Sequence, residues 1–349
     1  MGANWVQNFK KEFRVKKLHL FPSSPELLLE PRWHVRPWVW VLYRLLAFLY
    51  TLAWCIHSGL LFGTPKWLIL LSHLTYCVLG LYYLTALVNL IVALVFIRRF
   101  CRRKVKGAYC RTLTSCPTGG SGEQWALFRI PAPLAAALRL QWLLLVLVGS
   151  FSLNVSILYW TVNYPMSRHP IRPFSINLHV VNSFQVLLEV FLSSSPVHLY
   201  HYIYLLAAGI LYLLFAILFW LGGFTNMNGQ PYVYRVLDFG EHPVMAAISA
   251  LGFSLVGLPL FHFALWTVQV LRERLARGPR GRRYALRREA WWWGGVGGLA
   301  PFLTSAMESQ APVFARGDGE PQVLLTALPH GYCSVTSESP PECPSFAAA

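Results

Sequence analysis

Six long apolar runs constrain the fold of this 349-residue chain more than any other feature. A helix needs about 20 residues to cross roughly 30 Å of hydrocarbon, and runs of that length exceed any strand of a membrane barrel. Composition agrees, because only 13% of the residues are charged, against about 25% in soluble domains. The sequence predicts an all-α membrane protein, a six-span transmembrane helix bundle, with spans near residues 38–62, 67–97, 140–162, 176–195, 199–221 and 244–271.

Basic residues predict the orientation of the bundle. Lys and Arg number seven in residues 1–37, eight in 98–137 and eight in 272–288, but are few in the intervening loops. Because cytosolic segments carry the excess of basic residues, we expect cytosolic N- and C-termini and a cytosolic 98–137 loop. The tail at 272–349 begins basic, becomes low in complexity and is predicted to be disordered. With basic residues beside the spans, the net charge of +16 favours membrane lipids as partners, and no nucleic acid.

The fourth run carries a polar stripe, His179, Asn182, Gln185 and Glu189. At about 100° per helical residue these side chains share about a third of the circumference, so one face of the helix is polar and the other apolar. Ionisable groups at membrane depth cost about 2.5–3.5 kcal/mol and usually face the bundle interior. We predict a polar network of Gln185 and Glu189, in which Glu189 is either protonated or paired with His198 or His201.

A hydroxyl and an imidazole are predicted to lie at similar depth near the non-cytosolic side. Ser72 follows Lys66 by six residues and His179 follows Pro173 by six, in two spans that run in the same direction. A neutral imidazole can take the proton of Ser72 while its oxygen attacks an acyl carbonyl. Asn182 could orient the ring or hold an oxyanion. The alternative is that Ser72 bonds a backbone carbonyl and serves helix packing.

The 223–242 segment, GFTNMNGQPYVYRVLDFGEH, is the longest predicted non-cytosolic loop. Its Gly, Asn and Pro residues favour tight turns, so one interpretation is an ordered cap over the outer mouth of the bundle. The other is that its Tyr and charged side chains contact a lipid headgroup or a membrane protein partner, the candidates being Tyr232, Tyr234, Arg235 and Asp238.

The sequence predicts no metal site and no cofactor. Its seven cysteines lack the paired spacing that zinc sites use.

Several motifs resemble the rolling stone family of multispan proteins: Lys66-Trp67, Leu70-Leu71-Ser72, 177–183 (NLHVVNS), 222–225 (GGFT) and 229–238 (GQPYVYRVLD). The resemblance implies a multi-pass membrane protein in cell adhesion or membrane fusion, as in insect myoblast fusion. The chain is also distantly similar to the androgen-induced-gene and androgen-dependent tissue-factor-pathway-inhibitor-regulating proteins. Those are six-span hydrolases of fatty acid esters with an intramembrane threonine and histidine, and the likeness implies Ser72 and His179 in those roles.

Three interpretations of function remain open. The first is a rolling-stone-like protein in adhesion or fusion, with the polar stripe serving packing. The second is an intramembrane hydrolase whose substrate is a lipid ester. A transporter or receptor ranks last, because neither broken-helix repeats nor a seventh span is present. The expected location is a membrane, with plasma membrane and endoplasmic reticulum both open.

Overall fold

The computed structural model describes Glu12, Leu18 and Leu20 and residues 25–105, 131–167 and 170–278. Within these residues, six helices are long and apolar enough to cross a membrane and no strand forms, which confirms the predicted six-span, all-α architecture. We number them α1 to α6 in chain order: Pro37–Phe62, Leu71–Val105, Ala132–Met166, Pro173–Leu192, Leu199–Leu221 and Pro243–Arg277. Most of the predicted basic N-terminal segment, the centre of the 98–137 loop and the tail from residue 279 lie outside the described residues.

Local sequence sets the ends of the first two helices. Gly63 follows α1 with a φ of 63°, a left-handed conformation that glycine adopts without steric cost, and its N–H donates to Gly59 O at 3.1 Å. A 3-10 turn, Pro65–Ile69, and an extended Leu70 come next. The second spanning helix therefore begins at Leu71, four residues after the start that the sequence predicted.

The third helix forms the centre of the bundle, and α2, α4, α5 and α6 all pack against it. The first helix lies at the periphery and packs mainly on α2. It turns one narrow stripe inward, with Trp40, Arg44, Thr51 and Ser58 buried at helical spacing. Opposite Thr51, a Cβ at Gly80 would lie only 3.8 Å from the threonine Cβ, so the two helices approach closely there.

Three of the spanning helices contain a π-helical turn: Tyr159–Asn163 in α3, Asn177–Val181 in α4 and Gly252–Gly257 in α6. Such turns disturb the regular hydrogen-bond ladder and often occur at functional sites. In α6, the side chain of Asn154 fills the space beside the turn, and a Cβ at Gly257 would lie 2.7 Å from its Nδ2 atom.

The chain before α1 docks against the C-terminal end of α4, at what we call the terminal end of the bundle. Arg32 N donates to Leu192 O at 2.7 Å, and Ser194 N donates to Glu30 O at 2.9 Å. This pairing holds the chain extended after Leu192, so α4 ends there and not at residue 195 as predicted. The side chain of Arg32 adds a bidentate bond to Glu273, with both distances 3.0 Å.

A buried arginine completes this end of α4. The Nη1 atom of Arg272 donates to the carbonyl oxygens of Val190, Ser193 and Ser195 at 2.7, 2.5 and 3.3 Å. The last carbonyls of a helix have no partner within the helix, so a cation at this place satisfies them and complements the helix dipole. Because Arg272 is only 1% exposed, these hydrogen bonds replace the ones that its guanidinium group would make with water.

We predict that Arg272→Met destabilises the bundle by about 2–4 kcal/mol, because it leaves buried carbonyls without a donor. The measurement is thermal unfolding of the purified protein in detergent. The matched control is Arg274→Met, since Arg274 is an exposed arginine two residues away on the same helix. Equal melting temperatures for the two variants would contradict the assigned role.

Candidate functional site

An apolar cavity of about 250 Å³ lies between α3, α5, α6 and the 223–242 segment. We call this segment the lid, the space below it the lid cavity, and this side of the bundle the lid end. Helices supply apolar walls at Val155, Leu158 and Phe253, and the lid adds Val236 and Leu237. The polar residues at the cavity surface are Asn163, Tyr212, Tyr234 and Ser249.

Hydrogen bonds within the lid give it a defined conformation. The Asn226 Oδ1 atom accepts the N–H groups of Asn228 and Gln230 at 2.8 and 3.0 Å. Gly229 between them has a φ of 76°. Asp238 is buried, and its Oδ1 atom accepts the N–H of Glu241 at 3.1 Å. Asp238 thus serves the turn that leads into α6.

The other two lid candidates lie nearer the surface. Tyr232 is half-buried and Arg235 is exposed. The carbonyl of Tyr232 accepts a hydrogen bond from Asn226 Nδ2 at 2.9 Å. The Arg235 side chain is therefore accessible from outside the bundle, and that of Tyr232 is accessible in part.

Tyr234 joins the lid to the start of α2. Its hydroxyl oxygen accepts the N–H of Leu71, the residue directly before Ser72, at 2.8 Å. Tyr212 in turn donates to Ile69 O at 2.8 Å. Burial raises the pKa of Tyr234 above its ordinary value, so the phenol keeps its proton at neutral pH.

Ser72 is buried beside this group of hydroxyls, and its nearest imidazole belongs to His73. The Ser72 Oγ and His73 Nδ1 atoms are 3.5 Å apart. Rings of Phe62, Trp67 and Phe174 surround His73, with centroids 5.3–5.5 Å away. The Nε2 atom of His73 is buried and has no hydrogen-bond partner within the described residues.

His179 lies in the π-helical turn of α4 and stacks on Tyr159, which lies in the π-helical turn of α3. The two ring centroids are 3.6 Å apart and the planes differ by 7°. Within the described residues its Nδ1 atom has no partner, and no hydrogen bond joins His179 to Ser72. The structure therefore places the predicted base next to an aromatic ring, and brings His73 to the serine.

Asn182 joins α4 to α3. Its Oδ1 atom accepts the hydroxyl of Ser152 at 3.0 Å, and its Nδ2 atom donates to Leu178 O at 3.3 Å. Both ends of the amide are therefore occupied, and within the described residues no hydrogen bond joins Asn182 to His179. Gln185 contributes its backbone carbonyl, which accepts the Tyr83 hydroxyl at 3.4 Å.

Glu189 pairs with Arg44 of α1, and the prediction of His198 or His201 as its partner is wrong. Arg44 Nη2 lies 2.9 Å from Glu189 Oε1, and both side chains are at most 1% exposed. His198 instead pairs with Glu12 at 3.1 Å. The prediction considered partners close in sequence, whereas the packing of the helices brings Arg44 of α1 beside Glu189.

Two tyrosines complete this ion pair. Tyr82 donates to Glu189 Oε1 at 2.7 Å and Tyr43 donates to Oε2 at 3.0 Å. Arg44 donates to the Tyr82 oxygen at 3.0 Å. Sequence reasoning missed Arg44, although a lone arginine inside an apolar span was a signal that an acid would face it.

The comparisons with known proteins agree with this architecture. The family model described as protein rolling stone matches residues 4–278. Protein rolling stone of Drosophila melanogaster is 28% identical over 127 residues, which cover 36% of this chain and 46% of that relative. The match thus spans less than half the length of the curated relative. No solved structure matches the chain. The six spanning helices and the family match over most of the chain establish that it is a multi-pass membrane protein that belongs to the rolling stone family.

Proposed function

We propose that this protein binds an acyl chain of a membrane lipid in the lid cavity. The observation that carries the proposal is the cavity itself, an apolar space of about 250 Å³ at one end of a membrane bundle. Sites for drug-sized ligands have volumes of about 300–1,000 Å³ and largely apolar walls. The lid cavity is somewhat smaller, so it suits part of one chain and not a whole phospholipid.

The position of the cavity fits entry from the bilayer. Its walls come from α3, α5 and α6, and α6 presents exposed apolar side chains beside it, including Leu251 at 58% exposure. The lid covers the aqueous side with Val236 and Leu237. An acyl chain would therefore move from the apolar bilayer into an apolar cavity. The polar end of the lipid would meet Tyr234, Tyr212 or Ser249.

We predict that Ala250→Trp reduces crosslinking of a photoreactive fatty acid to the purified protein by at least about tenfold. Ala250 lines the cavity, and an indole there would occupy the space that the chain needs. The matched control is Leu251→Trp, which puts the same ring on the neighbouring lipid-facing position. Crosslinking is measured by mass spectrometry of labelled peptides. Equal labelling of both variants, or labelled peptides remote from the cavity, would contradict acyl binding at this place.

Hydrolysis of a lipid ester is a second candidate, and the pair of Ser72 and His73 favours it. Ser72 is 6% exposed, follows cavity-lining Leu71 and lies 3.5 Å from an imidazole nitrogen. A serine needs a neighbouring base because the hydroxyl alone is a weak nucleophile. In this arrangement His73 takes the role that the family resemblance gave to His179.

We predict that a lipid-like fluorophosphonate labels the wild-type protein and that Ser72→Ala abolishes this labelling. His73→Ala should slow it by about 100-fold or more, since general bases contribute about 10²–10⁴, and His179→Ala should slow it less. The control is Ser58→Ala, because the Ser58 hydroxyl bonds only a carbonyl of its own helix. A wild type that stays unlabelled, beside a labelled intramembrane serine hydrolase, would refute the hydrolase proposal.

The adhesion or fusion role that the rolling stone resemblance implies is compatible with lipid binding. Exposed Arg235 and half-buried Tyr232 lie on the lid surface, where an apposed membrane or partner protein would meet them. The orientation that the basic residues predict puts the lid on the non-cytosolic side, which is the side that meets another cell at the plasma membrane.

A further inference from the structure

Tyr234 connects the lid cavity with the start of α2, where Ser72 lies. Tyr234 lines the lid cavity, and its hydroxyl accepts the N–H of Leu71, the residue directly before Ser72. The serine itself is not part of the cavity wall, whereas Leu71 is. A lipid in the cavity therefore contacts Leu71 and Tyr234, next to the serine.

The phenol oxygen is held in place from the protein side. It accepts the Leu71 N–H at 2.8 Å, and its neighbour Tyr212 is fixed by a bond to Ile69 O. A phenol that accepts one hydrogen bond still has its own proton to donate. The backbone at the start of α2 therefore fixes the position of the phenol oxygen.

We propose that Tyr234 is a catalytic residue whose hydroxyl donates to the carbonyl oxygen of a bound lipid ester while Ser72 attacks the carbonyl carbon. The proposal rests on the hydrolysis proposed above, and gives that site its oxyanion donor. It also defines the substrate as an ester whose acyl chain occupies the lid cavity, so that the carbonyl lies beside Tyr234.

Each step of this reaction balances with groups that the chain supplies. Ser72 Oγ bonds to the carbonyl carbon, His73 Nδ1 takes the serine proton, and the carbonyl electron pair moves to the oxygen that Tyr234 stabilises. When the carbonyl reforms, the bond to the alcohol oxygen breaks and His73 returns the proton to that oxygen. Water then attacks the acyl-Ser72 ester in the same way, which releases the fatty acid and restores the serine.

The arrangement makes the lid part of the catalytic centre. A preformed donor aimed at a developing oxyanion lowers the barrier because it needs no reorganisation during the reaction, and it acts most strongly where water is excluded. Tyr234 meets these conditions only when the lid is closed over the cavity.

The test is Tyr234→Phe, which keeps the ring that lines the cavity and removes only the hydroxyl. We expect fluorophosphonate labelling of Ser72 to slow by about 100-fold, the usual loss for one oxyanion donor. Crosslinking of the photoreactive fatty acid should stay unchanged. The control is Tyr202→Phe, whose hydroxyl donates to Ser254 O at 2.9 Å and does not contact Ser72.

The two readouts separate the possible outcomes. Slower labelling with unchanged crosslinking and an unchanged melting temperature supports the proposal. An unchanged labelling rate overturns it, and so does a parallel loss of labelling and crosslinking, which would show a structural role. If the wild type is crosslinked by the fatty acid but never labelled by the fluorophosphonate, hydrolysis itself fails and the role of Tyr234 fails with it, while acyl binding stands.

Discussion

The buried ion pair of Arg44 and Glu189 is the interaction on which the arrangement of α1, α2 and α4 depends. Only 11% of the most apolar stretch of α1 is buried, so lipid contact alone does little to fix the rotation or depth of this helix. Arg44 cannot leave Glu189 without placing two charges in an apolar environment, at a cost of about 3–5 kcal/mol when one partner is lost. Tyr82 adds α2 to the pair through bonds to both charges. The ion pair and Tyr82 therefore fix the positions of α1, α2 and α4 relative to one another.

The alignment of these three helices also positions the ring of His73 at the lid end. Phe62 at the end of α1 and Phe174 at the start of α4 both contact the ring of His73 on α2. The ring is thus positioned by helices that the ion pair aligns. At the terminal end, Arg272 and residues 30–33 hold the last turn of α4. Anchored at both places, α4 can accommodate a π-helical turn at Asn177–Val181, which would be costly in a free helix.

The sequence was sufficient to predict the number of spans and the polar face of α4, because run length and helical period depend on local composition. It was not sufficient to predict the partner of Glu189, since opposite charges in different helices meet only through packing. Nor did it predict the pairing of Ser72 with His73, because adjacent residues of a helix do not normally face each other. The pair forms in the first turn of α2, after extended Leu70. Depth counting assumed regular helices, which also explains why the position of His179 in a π-helical turn was not anticipated.

The polar residues of the bundle therefore form two systems with different physical character. Around Glu189, every charge has a close partner and both carboxylate oxygens accept hydrogen bonds, which is what a structural ion pair requires. Around Ser72, by contrast, the contact is between a hydroxyl and an imidazole, with Ser72 Oγ 3.5 Å from His73 Nδ1. The Ser72–His73 pair lies next to cavity-lining Leu71, whereas the Arg44–Glu189 pair is at most 1% exposed and its members already bind each other, and this is why the proposed chemistry belongs at the lid end.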